Sequence, residues 1–270
     1  MIYGNRDLGR QSEAPSPQQQ SRQAREQNPR VEEEPILRQK EGGLDWKHTE
    51  NSFVDFDRDR LVFHMRSTEG PAGCVSAEQS LMYLGGAKDQ PGSLREVNGQ
   101  QWDEVFTTEA LHEDTDCVFF DADGDGDDDL YVSSGGNEFS SSSEGLFDRL
   151  YIQEKGTWSI SKGINATLGF FSNGTVSAAD WDADGDIDIF VGERLQPFAV
   201  GKPVSGRLLE NDGAGNFMDV TQQYAPRLLH SGMFTGSVFM DIDHDGDQDL
   251  ITSGEWLSLI HISEPTRQAT

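Results

Sequence analysis

Three short acidic segments contain the residues whose type and spacing could do chemistry. Each segment has nine residues in the pattern DxDxDGxxD, with aspartate at positions 1, 3, 5, 7 and 9 and glycine at position 6. Carboxylates are hard oxygen donors, and Ca²⁺ takes about six to eight oxygens in a flexible shell. Mg²⁺ keeps more of its own water, and soft metals prefer Cys and His. The segments therefore predict Ca²⁺ sites.

The position of each residue in a segment predicts its role. Side chains at positions 1, 3, 5 and 9 contact the ion, glycine at position 6 permits a positive φ, and position 7 contributes its backbone carbonyl. We name the segments loop 1 (residues 121–129), loop 2 (residues 180–188) and loop 3 (residues 241–249), and we predict about three Ca²⁺ ions. The aspartates of the predicted metal sites are Asp121, Asp123, Asp125, Asp127, Asp129, Asp180, Asp182, Asp184, Asp186, Asp188, Asp241, Asp243, Asp245, Asp247 and Asp249.

The overall charge agrees with cation binding. The chain has 48 acidic and 21 basic residues and a formal net charge of −27, which three divalent ions would bring to −21. Such a surface repels nucleic acid and anionic membranes. No apolar run reaches the roughly 18 residues of a membrane helix. We therefore predict neither nucleic-acid binding nor membrane insertion by this segment.

The surroundings of the loops exclude other calcium folds. An EF-hand needs a bidentate glutamate at position 12 and a helix on each side of the loop. Position 12 is Val132, Val191 and Thr252, each within a predicted strand. EF-hand and dockerin folds are therefore excluded, and thrombospondin-type repeats would need closer spacing and more cysteine.

Similar strands follow the loops at a regular period. The strands begin at Leu130, Ile189 and Leu250, so the spacings are 59 and 61 residues. A period near 60 holds about four short strands, and four-stranded sheets repeated radially hide their edges as a β-propeller does. An earlier copy begins at Leu81, where only Ser76–Ser80 stand in place of a loop. We therefore predict an all-β fold with four repeats and three metal loops.

Longer segments resemble a known family. DWDADGDIDIFVG, LLENDGAGNFMDVT and MDIDHDGDQDLITSG resemble the bacterial VCBS/FG-GAP repeats and the FG-GAP repeat of the integrin α-subunit propeller. GLDWKHTENSFVDFDRDRL resembles a stretch of bacterial surface proteins of the ASPIC/UnbV-associated group. The resemblance implies β-propeller blades with Ca²⁺ bound on one face. Four repeats are fewer than the usual ring of about seven blades, which implies an incomplete propeller.

The sequence predicts three regions. Residues 1–42 are a polar linker or poorly ordered lead-in, because they are rich in Gln, Glu, Arg and Pro with few apolar anchors. Residues 43–256 contain the FG-GAP/VCBS repeats, the first without a Ca²⁺ loop. Residues 257–270 resemble translated sequencing adaptor, so we interpret them as a non-native tail without function.

The resemblance implies a noncatalytic module for adhesion or for binding a surface protein or glycan, outside the cell or on its surface. Extracellular Ca²⁺ modules bind at about 10⁻⁴ to 10⁻³ M, so they fill outside a cell and empty inside. Two alternatives are the propeller domain of a polysaccharide-active enzyme and a purely structural spacer. Neither GxSxG nor HExxH occurs and the histidines form no recognisable constellation, so we predict no enzyme.

Two smaller features complete the predictions. Cys74 and Cys117 are too few for a disulfide scaffold or a Cys-based zinc site. Each precedes a valine at the entrance to a repeat, so we expect small buried side chains that face each other from adjacent blades without a disulfide. Ser140–Ser143 form an insertion after the first loop strand, a place where propellers often carry specificity.

Overall fold

The computed structural model describes residues 72–76, 78–96, 106, 110–161, 164, 169–199, 201–255 and the backbone of residues 260–262. All of them belong to the larger of two compact units, Trp46–Thr270. The predicted lead-in, residues 1–42, lies outside the described residues. So does the suspected tail, apart from the backbone of residues 260–262.

Short strands with sequential pairing make up the described part of the chain. They form four antiparallel sheets, which we call blades 1 to 4: β1 to β3, β4 to β7, β8 to β11 and β12 to β14. The strands are β1 (Gly73–Ser76), β2 (Leu81–Leu84), β3 (Ser93–Glu96), β4 (Asp114–Phe120), β5 (Asp129–Ser134), β6 (Arg149–Glu154), β7 (Thr157–Ile160), β8 (Ser172–Ala179), β9 (Asp188–Leu195), β10 (Gly206–Asn211), β11 (Phe217–Asp219), β12 (Met233–Met240), β13 (Asp249–Glu255) and β14 (Ile260–Ile262).

Helical structure in the described residues is limited to short pieces. The helix α1 spans Thr221–Tyr224, and 3-10 turns span Glu144–Leu146 and Pro226–Leu228. The first strands of successive blades are neighbours, since β1 packs beside β4, β4 beside β8 and β8 beside β12. None of the four described sheets closes on itself. The prediction of all-β, propeller-type blades is therefore confirmed.

Three apolar cores lie between successive blades. The core between blades 1 and 2 contains Tyr83 and Leu130, and the core between blades 2 and 3 contains Tyr131 and Ile189. Adjacent residues such as Leu130 and Tyr131 reach opposite cores because side chains alternate along a strand. All six residues of β5 are consequently buried. The core between blades 3 and 4 is built in the same way, with Phe190 facing blade 4.

The two cysteines join blades 1 and 2. Cys74 in β1 and Cys117 in β4 form a disulfide, with their Cα atoms 5.8 Å apart and 43 residues between them in sequence. The prediction that they face each other from adjacent blades is confirmed, but the expectation that they stay unpaired was wrong. Sequence spacing alone could not show that the two Cα atoms lie within bonding range, because that distance depends on how the blades pack.

The outer face of blade 4 repeats a contact surface used by blade 2. In β4, Val118 and Phe120 pair with Tyr131 and Asp129 and pack toward blade 3. Val238 and Met240 occupy the same positions in β12, because they pair with Ile251 and Asp249. These two side chains are 46% and 47% exposed. Blade 4 therefore presents an apolar face that no described residue covers.

Candidate metal sites

The three acidic loops lie at equivalent places in blades 2, 3 and 4. Each loop joins the first strand of its blade to the second, and its last aspartate begins the second strand. These strand-initial residues are Asp129 in β5, Asp188 in β9 and Asp249 in β13. Because the strands are antiparallel and the blades repeat, the loops occupy corresponding turns. Blade 1 has the short turn between β1 and β2 at this place.

Glycine at position 6 turns the chain in every loop. Gly126, Gly185 and Gly246 have φ values of 90°, 102° and 103°. An added Cβ would meet no atom within 4 Å at any of the three. The requirement for glycine is therefore conformational rather than steric, as the sequence predicts.

Position 4 also adopts the left-handed conformation, which the sequence did not suggest. Gly124 has a φ of 76°, but Ala183 and His244 have φ values of 58° and 64° although both carry a Cβ. Such a conformation costs a non-glycine residue about 1–2 kcal/mol. Glycine in loop 1 is the signal that could have revealed this requirement.

The aspartate at position 1 holds each loop through backbone amides. Asp121 Oδ1 accepts a hydrogen bond from Gly124 N at 2.8 Å, and Asp121 Oδ2 accepts one from Gly126 N at 3.0 Å. Asp180 accepts bonds from Asp184 N and Gly185 N, both at 3.1 Å. The loops are therefore already curled by hydrogen bonds of their own residues.

Loop 3 follows the same arrangement. Asp241 Oδ1 accepts a hydrogen bond from His244 N at 2.6 Å, and Asp241 Oδ2 accepts one from Gly246 N at 3.2 Å. The bond from the position-6 amide to the position-1 carboxylate thus occurs in all three loops. This repetition indicates that the position-1 aspartate shapes the loop in addition to offering oxygen to an ion.

The aspartate at position 9 is the most buried aspartate of each loop. Asp129 Oδ2 accepts from Ala122 N at 2.8 Å, and Asp129 Oδ1 accepts from Gln153 N at 2.8 Å. Asp188 and Asp249 are buried as well and also accept hydrogen bonds from backbone N–H groups. Burial raises the pKa of Asp129 and of Asp188 to about 7, with nearby aspartates contributing in the same direction. Positive charge in the loop would favour the ionised carboxylates.

Each loop brings the carboxylates of positions 1, 3 and 9 together. One oxygen from each of the three lies within 4.8 Å of the others, and this holds in loops 1, 2 and 3. Two oxygens at about 2.3 to 2.6 Å from one ion are at most about 5 Å apart, so the spacing suits Ca²⁺. The three groups are Asp121, Asp123 and Asp129; Asp180, Asp182 and Asp188; and Asp241, Asp243 and Asp249.

The position-3 aspartate in loop 1 adds a second sign that a cation fits. Asp123 Oδ1 is buried and has no hydrogen-bond donor. Burial raises the pKa of Asp123, and the neighbouring Asp125 raises it further. An oxygen that is shielded from water and lacks a donor is costly unless a positive group faces it. The donor set of the loop therefore fits a hard divalent cation.

Two glutamates from third strands join the loops, and the sequence reasoning missed them. Glu154 in β6 lies with Asp123 and Asp125, and Glu210 in β10 lies with Asp182 and Asp184, again with oxygens within 4.8 Å. The position-5 aspartates of loops 1 and 2 thus meet carboxylates from outside their own loops. A glutamate near the end of each third strand, in RLYIQE and RLLEN, is the sequence signal for them.

The remaining predicted residues lie outside these groups. The position-7 side chains of Asp127, Asp186 and Asp247, and the position-5 side chain of Asp245, join none of the carboxylate groups formed by described residues. Asp127 Oδ2 instead accepts a hydrogen bond from Lys155 N at 3.2 Å. The position-7 amides donate to the position-5 carboxylates, with lengths of 2.8, 3.1 and 3.1 Å in loops 1, 2 and 3.

Comparison with protein families identifies a repeat in the middle of the chain. Residues 121–191 match the family model described as FG-GAP-like repeat. The match begins at the first aspartate of loop 1, includes loop 2 and ends in β9. No curated protein matches the chain. Residues 121–191, in blades 2 and 3, are therefore an FG-GAP-like repeat.

Proposed function

We propose that this chain is a calcium-binding β-propeller module that acts outside the cell, without catalysis, by binding a surface protein or glycan. One observation carries the calcium assignment: the carboxylates of positions 1, 3 and 9 come together in the same way in three successive blades. A single acidic turn is common on protein surfaces. Three copies with the same backbone hydrogen bonds support a shared ligand.

The proposed role of the ions is structural. Asp121, Asp123 and Asp129 would hold one ion in loop 1, and the equivalent residues would hold one in each of loops 2 and 3. A divalent ion supplies positive charge where the fold concentrates carboxylates. At an ion concentration 100 times Kd, each site would stabilise the folded state by about 2.7 kcal/mol.

Calorimetric titration of chelator-treated protein with Ca²⁺ tests this role. We expect about three ions for each chain, and replacement of Asp123, Asp182 or Asp243 by Asn should remove one ion each. Asp127→Asn is the matched control, because that side chain lies outside the carboxylate groups. The same protein should also melt at a higher temperature with Ca²⁺ than with chelator. Absence of heat and of a thermal shift would contradict the calcium assignment.

Two features support action outside the cell. Disulfides such as Cys74–Cys117 form and persist in oxidising compartments and are rare in the cytosol. Millimolar Ca²⁺ is also found outside cells, where weak sites fill. Among the described residues there is no helix long and apolar enough to cross a membrane.

For the ligand, we propose the end of the blades opposite the acidic loops. Phe147 and Phe170 stack there with ring centroids 4.5 Å apart, in segments that precede β6 and β8. Phe198 follows β9 at the same end and is 57% exposed, and its N–H donates to Asn137 Oδ1 at 2.8 Å. Exposed aromatic rings with polar neighbours suit the apolar face and hydroxyl rim of a sugar.

Binding to a glycan array and to extracellular-matrix proteins tests the ligand proposal. A Phe170→Ala/Phe198→Ala variant should lose binding, while Met218→Ala, which alters an exposed residue on β11, should retain it. Binding that needs Ca²⁺ and vanishes in chelator would link the two parts of the proposal. No binding to any ligand would favour a structural spacer, and turnover of a polysaccharide would contradict the noncatalytic assignment.

A further inference from the structure

The turn between β10 and β11 lies between the metal loops of two blades. Asn211, the last residue of β10, is 4% exposed. Its side-chain amide donates to Ala122 O in loop 1 at 2.9 Å and to Ile187 O in loop 2 at 3.1 Å. Both acceptors are carbonyls, so they require the NH₂ group and fix the orientation of the amide.

The groups that Asn211 touches also hold the position-9 aspartates. Ala122 N donates to Asp129 Oδ2 at 2.8 Å, and Asn211 N donates to Asp188 Oδ1 at 2.8 Å. Three hydrogen bonds thus lead from Asp129 through Ala122 and Asn211 to Asp188. Asp129 belongs to the carboxylate group of loop 1, and Asp188 belongs to that of loop 2. The two sites are joined across the boundary between blades 2 and 3.

The backbone of the same turn contacts both loops. A Cβ added to Gly213 would lie 2.6 Å from the Asp186 carboxylate oxygens of loop 2. A Cβ added to Gly124 in loop 1 would lie 3.2 Å from Gly213 O. The turn therefore fills the space between the loops, and a shift of one loop would displace it.

Blade 2 provides an internal comparison. Gln153 occupies the position that Asn211 has in blade 3, because its N–H donates to the position-9 aspartate, Asp129, at 2.8 Å. The Gln153 side chain also reaches the preceding blade, where Nε2 donates to Gln79 Oε1 at 2.8 Å. Blade 1 has a short turn at this place and no acidic loop. The side-chain amide at this position therefore contacts a metal loop in blade 3, where Asn211 reaches loop 1. In blade 2 it contacts a turn without aspartates, where Gln153 reaches Gln79.

We propose that Asn211 couples ion binding in loop 1 to ion binding in loop 2. An ion in loop 1 fixes the segment from Ala122 to Asp129, and the Ala122 carbonyl in turn fixes Asn211. Asn211 then holds Asp188 in place before loop 2 is filled, which reduces the ordering that the second ion must impose. By linkage, filling loop 2 raises the affinity of loop 1 by the same factor. This inference rests on the proposed binding of Ca²⁺.

Loop 2 contains a tryptophan, which loops 1 and 3 lack. Position 2 is Trp181 in loop 2 but Ala122 in loop 1 and Ile242 in loop 3. Trp181 is buried and its ring centroid lies 5.3 Å from that of Tyr224. Tb³⁺ binds the same oxygen ligands as Ca²⁺ and emits light when a nearby tryptophan is excited. Trp158 pairs with Gln153, which donates to Asp129 of loop 1, so a Trp158→Phe protein serves as the wild type and as the background of every variant. In that background, sensitised emission reports filling of loop 2.

The experiment compares Tb³⁺ titrations of four proteins: the wild type, a loop-1 variant with Asp123→Asn and Asp125→Asn, Asn211→Ala, and their combination. One net hydrogen bond corresponds to roughly a three- to tenfold change in affinity. We expect the loop-1 variant and Asn211→Ala each to raise the loop-2 midpoint, the Tb³⁺ concentration at half-maximal sensitised emission, by about that factor. The combination should raise it no further than the larger single effect. Met218→Ala, which alters an exposed residue of β11 outside this series of hydrogen bonds, is the control and should leave the midpoint unchanged.

The outcomes separate the coupling from the calcium assignment. The coupling would be overturned, with metal binding intact, if the loop-1 substitutions left the Tb³⁺ midpoint of loop 2 unchanged. It would also be overturned if the effects of the loop-1 variant and of Asn211→Ala multiplied in the combined variant. Absence of sensitised emission and of Ca²⁺ competition in the wild type would overturn the proposed function and the coupling with it. Asn211→Gln keeps an amide donor, and we expect it to recover part of the affinity. If Asn211→Ala does not fold, Asn211→Gln and the loop-1 variant together still test whether Asn211 couples the two loops.

Discussion

Arg149 and Asp114 form an ion pair in which both side chains are only 2% exposed. Arg149 begins β6 and Asp114 begins β4, so the pair links the first and third strands of blade 2. Asp114 Oδ2 also accepts hydrogen bonds from Tyr83 Oη and Gly86 N of blade 1, both at 2.7 Å. The buried Asp114 carboxylate therefore connects blades 1 and 2, and Arg149 of blade 2 neutralises its charge.

Removal of Arg149 should be strongly destabilising. Arg149→Leu leaves the Asp114 charge buried without its partner, which costs about 3–5 kcal/mol. The matched control is Arg194→Leu, because the Arg194–Glu255 pair is 17% and 34% exposed and contributes about 1 kcal/mol or less. Urea unfolding measured at one pH and one Ca²⁺ concentration gives both values. Equal losses for the two variants would contradict the importance of the buried pair.

The left-handed residue at position 4 allows a stabilising substitution. Ala183 has a φ of 58°, so Ala183→Gly should relieve strain and stabilise the protein by up to about 1 kcal/mol. Gly185→Ala should destabilise it by about the same amount or more, because Gly185 has a φ of 102°. Chemical denaturation in chelator isolates this backbone effect from ion binding. A loss of stability in Ala183→Gly would show that loop 2 tolerates alanine there without strain.

The buried carboxylate of Asp148 should make stability depend on pH. Burial raises the pKa of Asp148 to about 6, although hydrogen bonds from Tyr131, Ser134 and Asn173 oppose the increase. The unfolded chain has an aspartate pKa of about 3.9, so the folded state holds the proton to higher pH. The favourable contribution of this group is therefore complete below about pH 4 and is lost as the pH rises to about 6.

The comparison with Asp148→Asn isolates that contribution. The charged groups that face Asp148 are Arg149 of its own blade and Arg207 of blade 3, and both stay protonated in this range. Relative to the variant, the wild type should lose stability between about pH 4 and pH 6. Unfolding free energies at pH 4, 5, 6 and 7 in chelator measure the difference. Parallel pH curves for the two proteins would show that Asp148 titrates normally.

The disulfide should contribute measurably to stability. A crosslink between residues 43 apart removes about 4 kcal/mol of chain entropy from the unfolded state. Cys74→Ala/Cys117→Ala should therefore unfold at a clearly lower temperature than the oxidised protein. Reduction of the wild type should lower its melting temperature to a similar value, while a reductant should not affect the variant. An unchanged melting temperature on reduction would contradict a stabilising role.

Local sequence determined the repeating parts of this protein. The aspartates and glycine of each loop act on the chain within nine residues, so their spacing predicted the turn and the position-6 φ of Gly126, Gly185 and Gly246. The strand that follows each loop is likewise local, because β-prone residues after a tight turn continue as the next strand. These features need no knowledge of how blades pack.

Tertiary structure decided the features that join one segment to another. The Cys74–Cys117 bond, the approach of Glu154 to loop 1 and the contact of Asn211 with Ala122 each depend on the distance between segments far apart in sequence. That distance follows from side-chain packing in the cores between blades. The types and spacing of residues indicate which groups are able to bind, but only the packed blades determine which of them meet.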